Sequence, residues 1–144
     1  MKIFTIGFTK KSAEQFFTAL STSGVQRVAD VRLNNISQLA GFSKRDDLRY
    51  FLRTIGEIDY VHLPELAPEA EMLEAYRSGA LDWAGYEASF TGLIRKRQVE
   101  ACLDPAMLDH SCLLCSEATP EHCHRRIVAE YLQAKWNDVE VVHL

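Results

Sequence analysis

The stretch Cys112–Tyr131, CLLCSEATPEHCHRRIVAEY, decides how this chain is read. The apolar run Ser111 to Cys115 (SCLLC) has the composition of a buried strand, and it breaks into a short polar loop. Thr119-Pro120-Glu121 then predicts a helix that starts at Pro120 with Thr119 as N-cap, since proline presets φ and lacks only an N–H that a first helical residue leaves unpaired. This helix extends over 120–135 with Ile127, Val128, Tyr131 and Leu132 inward. Cysteine, glutamate, histidine and arginine thus gather at one helix start. Unpaired N–H groups and partial positive charge there favour an anion or a thiolate.

Outward from that stretch the chain alternates between strand and helix periods. Lys2 to Gly7 predicts a first strand, and Ser12 to Leu20 a helix with Ala13, Phe16, Phe17 and Leu20 on one face, stopped by Gly24. Val25 to Arg32 predicts the second strand, Lys44 to Ile55 a helix closed by Gly56, and Ile58 to Leu63 a third strand stopped by Pro64. Glu69 to Arg77 and Tyr86 to Leu103 carry helical spacing. Cys112 to Cys115 is the fourth strand and Val139 to His143 the fifth. Strands separated by helices imply parallel pairing through right-handed crossovers. The expected fold is therefore α/β: an open, mostly parallel sheet of about five strands with helices on both faces, one domain over residues 1–144.

Composition narrows the function classes. The 144 residues carry 16 basic and 20 acidic side chains, a net charge of -4, which argues against strong sequence-independent attraction to a nucleic-acid backbone. The opening MKIFTIGF has too short an apolar run for a signal peptide, so a cytoplasmic location and no membrane partner are expected. Four cysteines (Cys102, Cys112, Cys115, Cys123) are too few for a disulfide framework in a chain of this size, and reduced thiols are expected.

In open α/β sheets ligands bind outside the carboxyl ends of the strands. Those ends carry Gly7-Phe8-Thr9, Asp30-Val31-Arg32, His62-Leu63-Pro64 and Cys115-Ser116-Glu117. Arg32 and Arg125 together would hold a phosphate or carboxylate bidentately, unless Asp30 and Arg32 simply form a salt bridge. Asp30 and Glu117 are acid–base candidates, the latter if burial lifts its pKa; the other reading of Glu117 is a helix cap. Cys123, beside His124 and Arg125, is a candidate nucleophile or an inward packing residue. Cys115 reads as a small hydrophobe ending a strand, and Cys112, three before it, as core on the other face. Phe8 and Phe42 stand on loops at the expected mouth, where a ring stacks on a flat ligand or anchors its loop. No arginine follows Cys115 or Cys123 at the six-residue spacing of a cysteine phosphatase loop. Tyr76, Trp83, Tyr86 and Trp136 have helical spacings more typical of core or flank than of a base-stacking platform.

The pairing of the amino-terminal TIG, the DVR of Asp30–Arg32 with Ser37 and GFS (Gly41 to Ser43) downstream, DYVHLPEL over Asp59–Leu66, and LLCSE followed by PEHCHR resembles the domain of unknown function 488 family. The resemblance covers nearly the whole chain in order. It implies a compact α/β domain and marks Asp30, Arg32, Ser37, Cys115, Glu117, Cys123, His124 and Arg125 as the matching motif positions; it implies no activity. The chain departs from the family pattern at Asn35, Gln38 and Ala40.

The expectation is an enzyme that binds a small anionic, nucleotide-like or nucleic-acid ligand and carries out hydrolysis or group transfer. Asp30, Glu117 and Cys123 would do the chemistry, with Phe8, Arg32, Ser37, Phe42, Thr119, His124 and Arg125 in binding. No cofactor and no metal are assigned. Two alternatives stay open: a non-catalytic nucleic-acid-binding module using Lys44, Arg45, Arg49, Arg53 and Arg95 to Arg97, and a structural metal site on Cys115, Cys123, His122 and His124. The geometric condition for a pocket is that DVR and CHR, over eighty residues apart, face one hollow.

Overall fold

The computed structural model describes residues 1–36 and 40–144. Strands β1 (Lys2–Gly7), β2 (Arg27–Asp30), β3 (Asp59–His62), β4 (Ser111–Cys115) and β5 (Glu140–His143) form one sheet in the order β3-β2-β4-β1-β5. Every pairing is parallel: β1 lies between β4 and β5, and β2 between β4 and β3. The helices are α1 (Ala13–Thr22), α2 (Arg45–Gly56), α3 (Ala70–Arg77), α4 (Trp83–Lys96), two short turns α5 (Val99–Cys102) and α6 (Pro105–Leu108), and α7 (His124–Lys135). Each joins strands that all run one way, as parallel pairing requires.

Alternation along the strands divides the core in two. Phe4, Ile6, Val28, Cys112 and Leu114 pack against Phe16, Phe17, Leu20, Leu48 and Leu52 of α1 and α2. Ile3, Ala29, Leu113 and Cys115 point the other way, onto α4 and α7 through Tyr86, Phe90, Ile127 and Val128. The period-2 strand pattern therefore sends Cys112 and Cys115 to opposite faces. The central strand β4 is buried along its whole length, as expected for a parallel strand covered on both sides.

Two features differ from the sequence expectation. The last helix begins at His124, not Pro120. Pro120 to Cys123 closes a separate turn in which the Cys123 N–H donates to the Pro120 carbonyl at 3.3 Å. Cys123 then takes an extended conformation (φ -138°, ψ 138°) as N-cap, so Thr119 caps nothing and lies exposed. Secondly, the predicted helix over Tyr86 to Leu103 starts earlier, at Trp83, and is broken after Lys96, where Gln98 adopts a left-handed conformation (φ 52°). Asp82, whose carboxylate accepts from the Gly85 N–H at 2.8 Å, supplies the N-cap. Among the described residues no helix is long and apolar enough to cross a membrane.

Candidate functional site

The chain leaves β1 leftward across β4 and leaves β4 rightward across β1, in the strand order given above. The loops after these strands therefore part to opposite faces, the arrangement that opens a crevice at the carboxyl edge. A cavity of about 480 Å³ lies there, on the α3–α4–α7 side. From the β2 loop it takes Arg32 and Asn34; from the β4 loop and the start of α7 it takes Cys115, Glu117, Cys123 and His124. Helices α3 and α4 close it with Tyr76, Arg77 and Tyr86.

Arg32 is 2 % exposed and firmly held. Its Nε donates to Asp30 Oδ1 and its Nη2 to Asp30 Oδ2, both at 2.8 Å, a bidentate fork, and its guanidinium carbon lies 5.4 Å from the centre of the Phe8 ring. Among the described residues its Nη1 has no hydrogen-bond partner. Asp30 is fully buried and also accepts from Tyr60 Oη at 2.6 Å and Asn35 Nδ2 at 3.3 Å. Burial pushes the Asp30 carboxyl up, but the hydrogen bonds and charge of Arg32, with the Tyr60 hydroxyl, outweigh it and hold the group below the usual carboxylate value. With its oxygens engaged in this way, Asp30 is built to orient Arg32.

His124 joins the two loops. Its Nε2 donates to the Val31 carbonyl at 2.7 Å, which places the ring proton on Nε2 and leaves Nδ1 an acceptor. The ring meets Phe90 edge-on at 5.4 Å. Burial, against the smaller opposing effect of the Val31 hydrogen bond, lowers its pKa to about 4, so the imidazole is neutral near pH 7.

Arg125 lies one layer below the cavity wall, fully buried. Its Nη1 donates to the Glu117 carbonyl at 2.7 Å and to Cys115 Sγ at 2.9 Å, and its Nε to Thr5 Oγ1 at 3.4 Å. Among the described residues its Nη2 has no partner and the guanidinium forms no ion pair with a carboxylate. The close packing here needs Gly7, where an added Cβ would overlap the Glu117 carbonyl and lie 2.8 Å from Arg125 Nη1. The expectation of reduced thiols is corrected at one pair: Cys115 and Cys123 are joined as a disulfide, while Cys102 and Cys112 are free. The eight-residue separation is spanned because Cys123, extended as N-cap, turns its side chain back onto the end of β4.

Of the residues singled out in the sequence, Arg32, Glu117, Cys123 and His124 meet at the cavity. Asp30, Phe8 and Arg125 stand behind that wall, in contact with Arg32 or Cys115. Phe42 is on the opposite face of the sheet, 5.4 Å from the Phe16 ring and beside a separate apolar groove. Ser37 lies outside the described residues. Tyr76, Arg77 and Tyr86 line the cavity without a sign of it in the sequence, together with His122, which the sequence offers only as a metal-ligand candidate; the rings of Tyr76 and Tyr86 lie 5.0 Å apart and tilted, and those of Trp83 and His122 4.9 Å apart and stacked. None of the eight residues of α3 is fully buried, and Met72, Leu73 and Tyr76 pack partly buried against the core under α4 and α7, so the helical spacing of α3 gives no sign in the sequence that it also borders the cavity.

Fold and site together define an open parallel α/β protein with a polar crevice at the carboxyl edge of its sheet. The chain matches the family model described as domain of unknown function DUF488 over residues 12–132, and it belongs to that family. No curated protein and no solved structure matches it.

Proposed function

We propose that the cavity binds a small, flat, phosphate-bearing ligand, a nucleotide or one residue of a nucleic acid, and that the protein is an enzyme acting on it by hydrolysis or group transfer. The observation that carries this reading is Arg32: a buried guanidinium fixed by Asp30 and Phe8, with one nitrogen unpaired, in the wall of a cavity of about 480 Å³. Clefts of roughly 300–1,000 Å³ accommodate ligands of that size. A guanidinium already fixed in place loses little side-chain freedom on meeting an anion, and the exposed Arg77 of α3, also in the lining, supplies a second positive charge. Tyr76, half-buried with Tyr86 packed behind it, offers aromatic surface for a base, the neutral His124 an acceptor at Nδ1, and the exposed Glu117 the acid–base group.

The alternative of a basic nucleic-acid-binding face has weaker support. Arg97 spends its Nη1 on the carbonyls of Glu65 and Ala67, and Arg45 pairs with Asp46. The test is calorimetric titration with a series of nucleoside monophosphates. Arg77→Gln and Arg32→Lys each lower affinity tenfold or more, and Glu117→Gln binds normally but loses turnover; the reading fails if both arginine variants bind as the wild type does.

A further inference from the structure

The cavity has a second chemistry that the phosphate reading does not use. Arg125 is a guanidinium without solvent and without an ion-paired carboxylate among the described residues, and its Nη1, which donates to the Glu117 carbonyl at 2.7 Å, also lies 2.9 Å from Cys115 Sγ. A buried charge left uncompensated is costly, and burial indeed disfavours the charged form of this arginine. A disulfide sulfur offers it no counter-charge. A thiolate would.

We propose that Cys115 and Cys123 are a redox-active pair that exchanges with small disulfides entering the cavity, with Cys115 the attacking thiolate held by Arg125 and Cys123 the resolving thiol. Both cysteines stand in the cavity wall and are only 1 % and 3 % exposed, so the partner that reaches them must be a small disulfide able to enter the cavity. Cys123 is the N-cap of α7, and its sulfur makes no cap hydrogen bond, whereas Cys115 receives a direct N–H from Arg125. This asymmetry assigns the roles. In the reduced protein the Cys115 thiolate attacks one sulfur of R–S–S–R, that bond breaks, and RS⁻ leaves to take a proton from water. The Cys123 thiol then loses its proton to solvent and attacks Cys115 Sγ, expelling the second RS⁻. Two protein thiols are oxidised and one disulfide is reduced to two thiols; a small dithiol returns the protein to its starting state by the reverse exchange. Arg125, by stabilising the thiolate, favours the reduced form, as any partner that binds one redox state selectively must.

The proposal does not depend on the nucleotide reading, because the probe is a disulfide and no phosphate ligand is added. The experiment uses full-length protein carrying Cys102→Ser, which removes the exposed free thiol. Cys112 is buried on the other face of the sheet. After reduction and removal of reductant, the protein is mixed with oxidised glutathione and followed by intact mass. With both site cysteines present, the chain returns to its disulfide and two glutathione thiols are released. Cys123→Ser stops at a mixed disulfide of one glutathione on Cys115, and Cys115→Ser forms at least tenfold less adduct. Iodoacetamide alkylation of Cys123→Ser stays nearly level from about pH 8 to about pH 6, where an ordinary thiol of pKa about 8.5 slows by roughly a hundredfold. The proposal is overturned if Cys115→Ser forms the adduct as readily, if Cys115 resists both reagents in the folded protein, or if its alkylation falls with pH as an ordinary thiol does.

Discussion

His124 Nε2 and the Val31 carbonyl oxygen, 93 residues apart in the chain, are 2.7 Å apart in space. This one hydrogen bond ties the loop after β2 to the first residue of α7. It places Arg32 and the Cys123-His124 turn on the same cavity, the condition on which a pocket at the carboxyl edge depends.

Burial of the His124 ring also makes stability depend on pH. The His124 pKa is about 4 folded against an ordinary value near 6.5, so between those limits the unfolded chain binds more protons than the folded one. Stability is then intact above about pH 6.5 and is lost as pH falls toward about 4, by about 2–3 kcal/mol from this residue. Urea unfolding at pH 7 and pH 4.5 measures it. The drop between the two is smaller in His124→Gln than in the wild type by that amount, since glutamine can still donate to Val31 but does not titrate.

Asp30 and Arg32 form the second prediction. Removing the charge of one partner in a buried bidentate pair leaves the other charge unmatched. Asp30→Asn should cost about 3–5 kcal/mol in denaturant unfolding, whereas Arg45→Gln, which breaks an exposed pair with Asp46, should leave the unfolding midpoint nearly unchanged. Equal losses would mean that the buried fork contributes nothing special.

Gly7 is the third. Alanine there meets the Glu117 carbonyl and crowds Arg125, so the β4 loop must shift. Gly7→Ala should destabilise by about 2 kcal/mol or more, while Gly92→Ala, where open space surrounds the added carbon, should be neutral or slightly stabilising because alanine favours a helix. Thermal unfolding of the two variants side by side decides it.

The elements that were legible in the sequence are those whose local signals and tertiary packing agree. For β1, a β-branched run and its closing glycine coincide with the observed strand, and for α1 Ser12 and Gln15 form the capping box in which each side chain receives the other's backbone N–H. The start of α7 was misread because the Thr-Pro-Glu signal is local, whereas the geometry there answers to Cys123 reaching β4 and His124 reaching β2. Arg32 and Arg125 looked equivalent in sequence. Only packing separates them, since one borders the cavity and the other lies beneath it with Thr5 and Cys115. The helical spacing of Tyr76 and Tyr86 points to core or flank for a related reason. Tyr86 is 2 % exposed and belongs to the core, yet one side of its ring also forms the cavity wall.

The central claim is that the crevice at the carboxyl edge receives an anionic, flat ligand on Arg32, and NMR titration of isotopically labelled protein with a nucleoside monophosphate tests it most directly. The account predicts that the Arg32 side-chain signal, the backbone amides of Ser116 and His124 and the rings of Tyr76 and Tyr86 move together along one saturable curve. Shifts confined to the exposed arginines of α2, or no shifts at these five residues at ligand concentrations in the millimolar range, would contradict it.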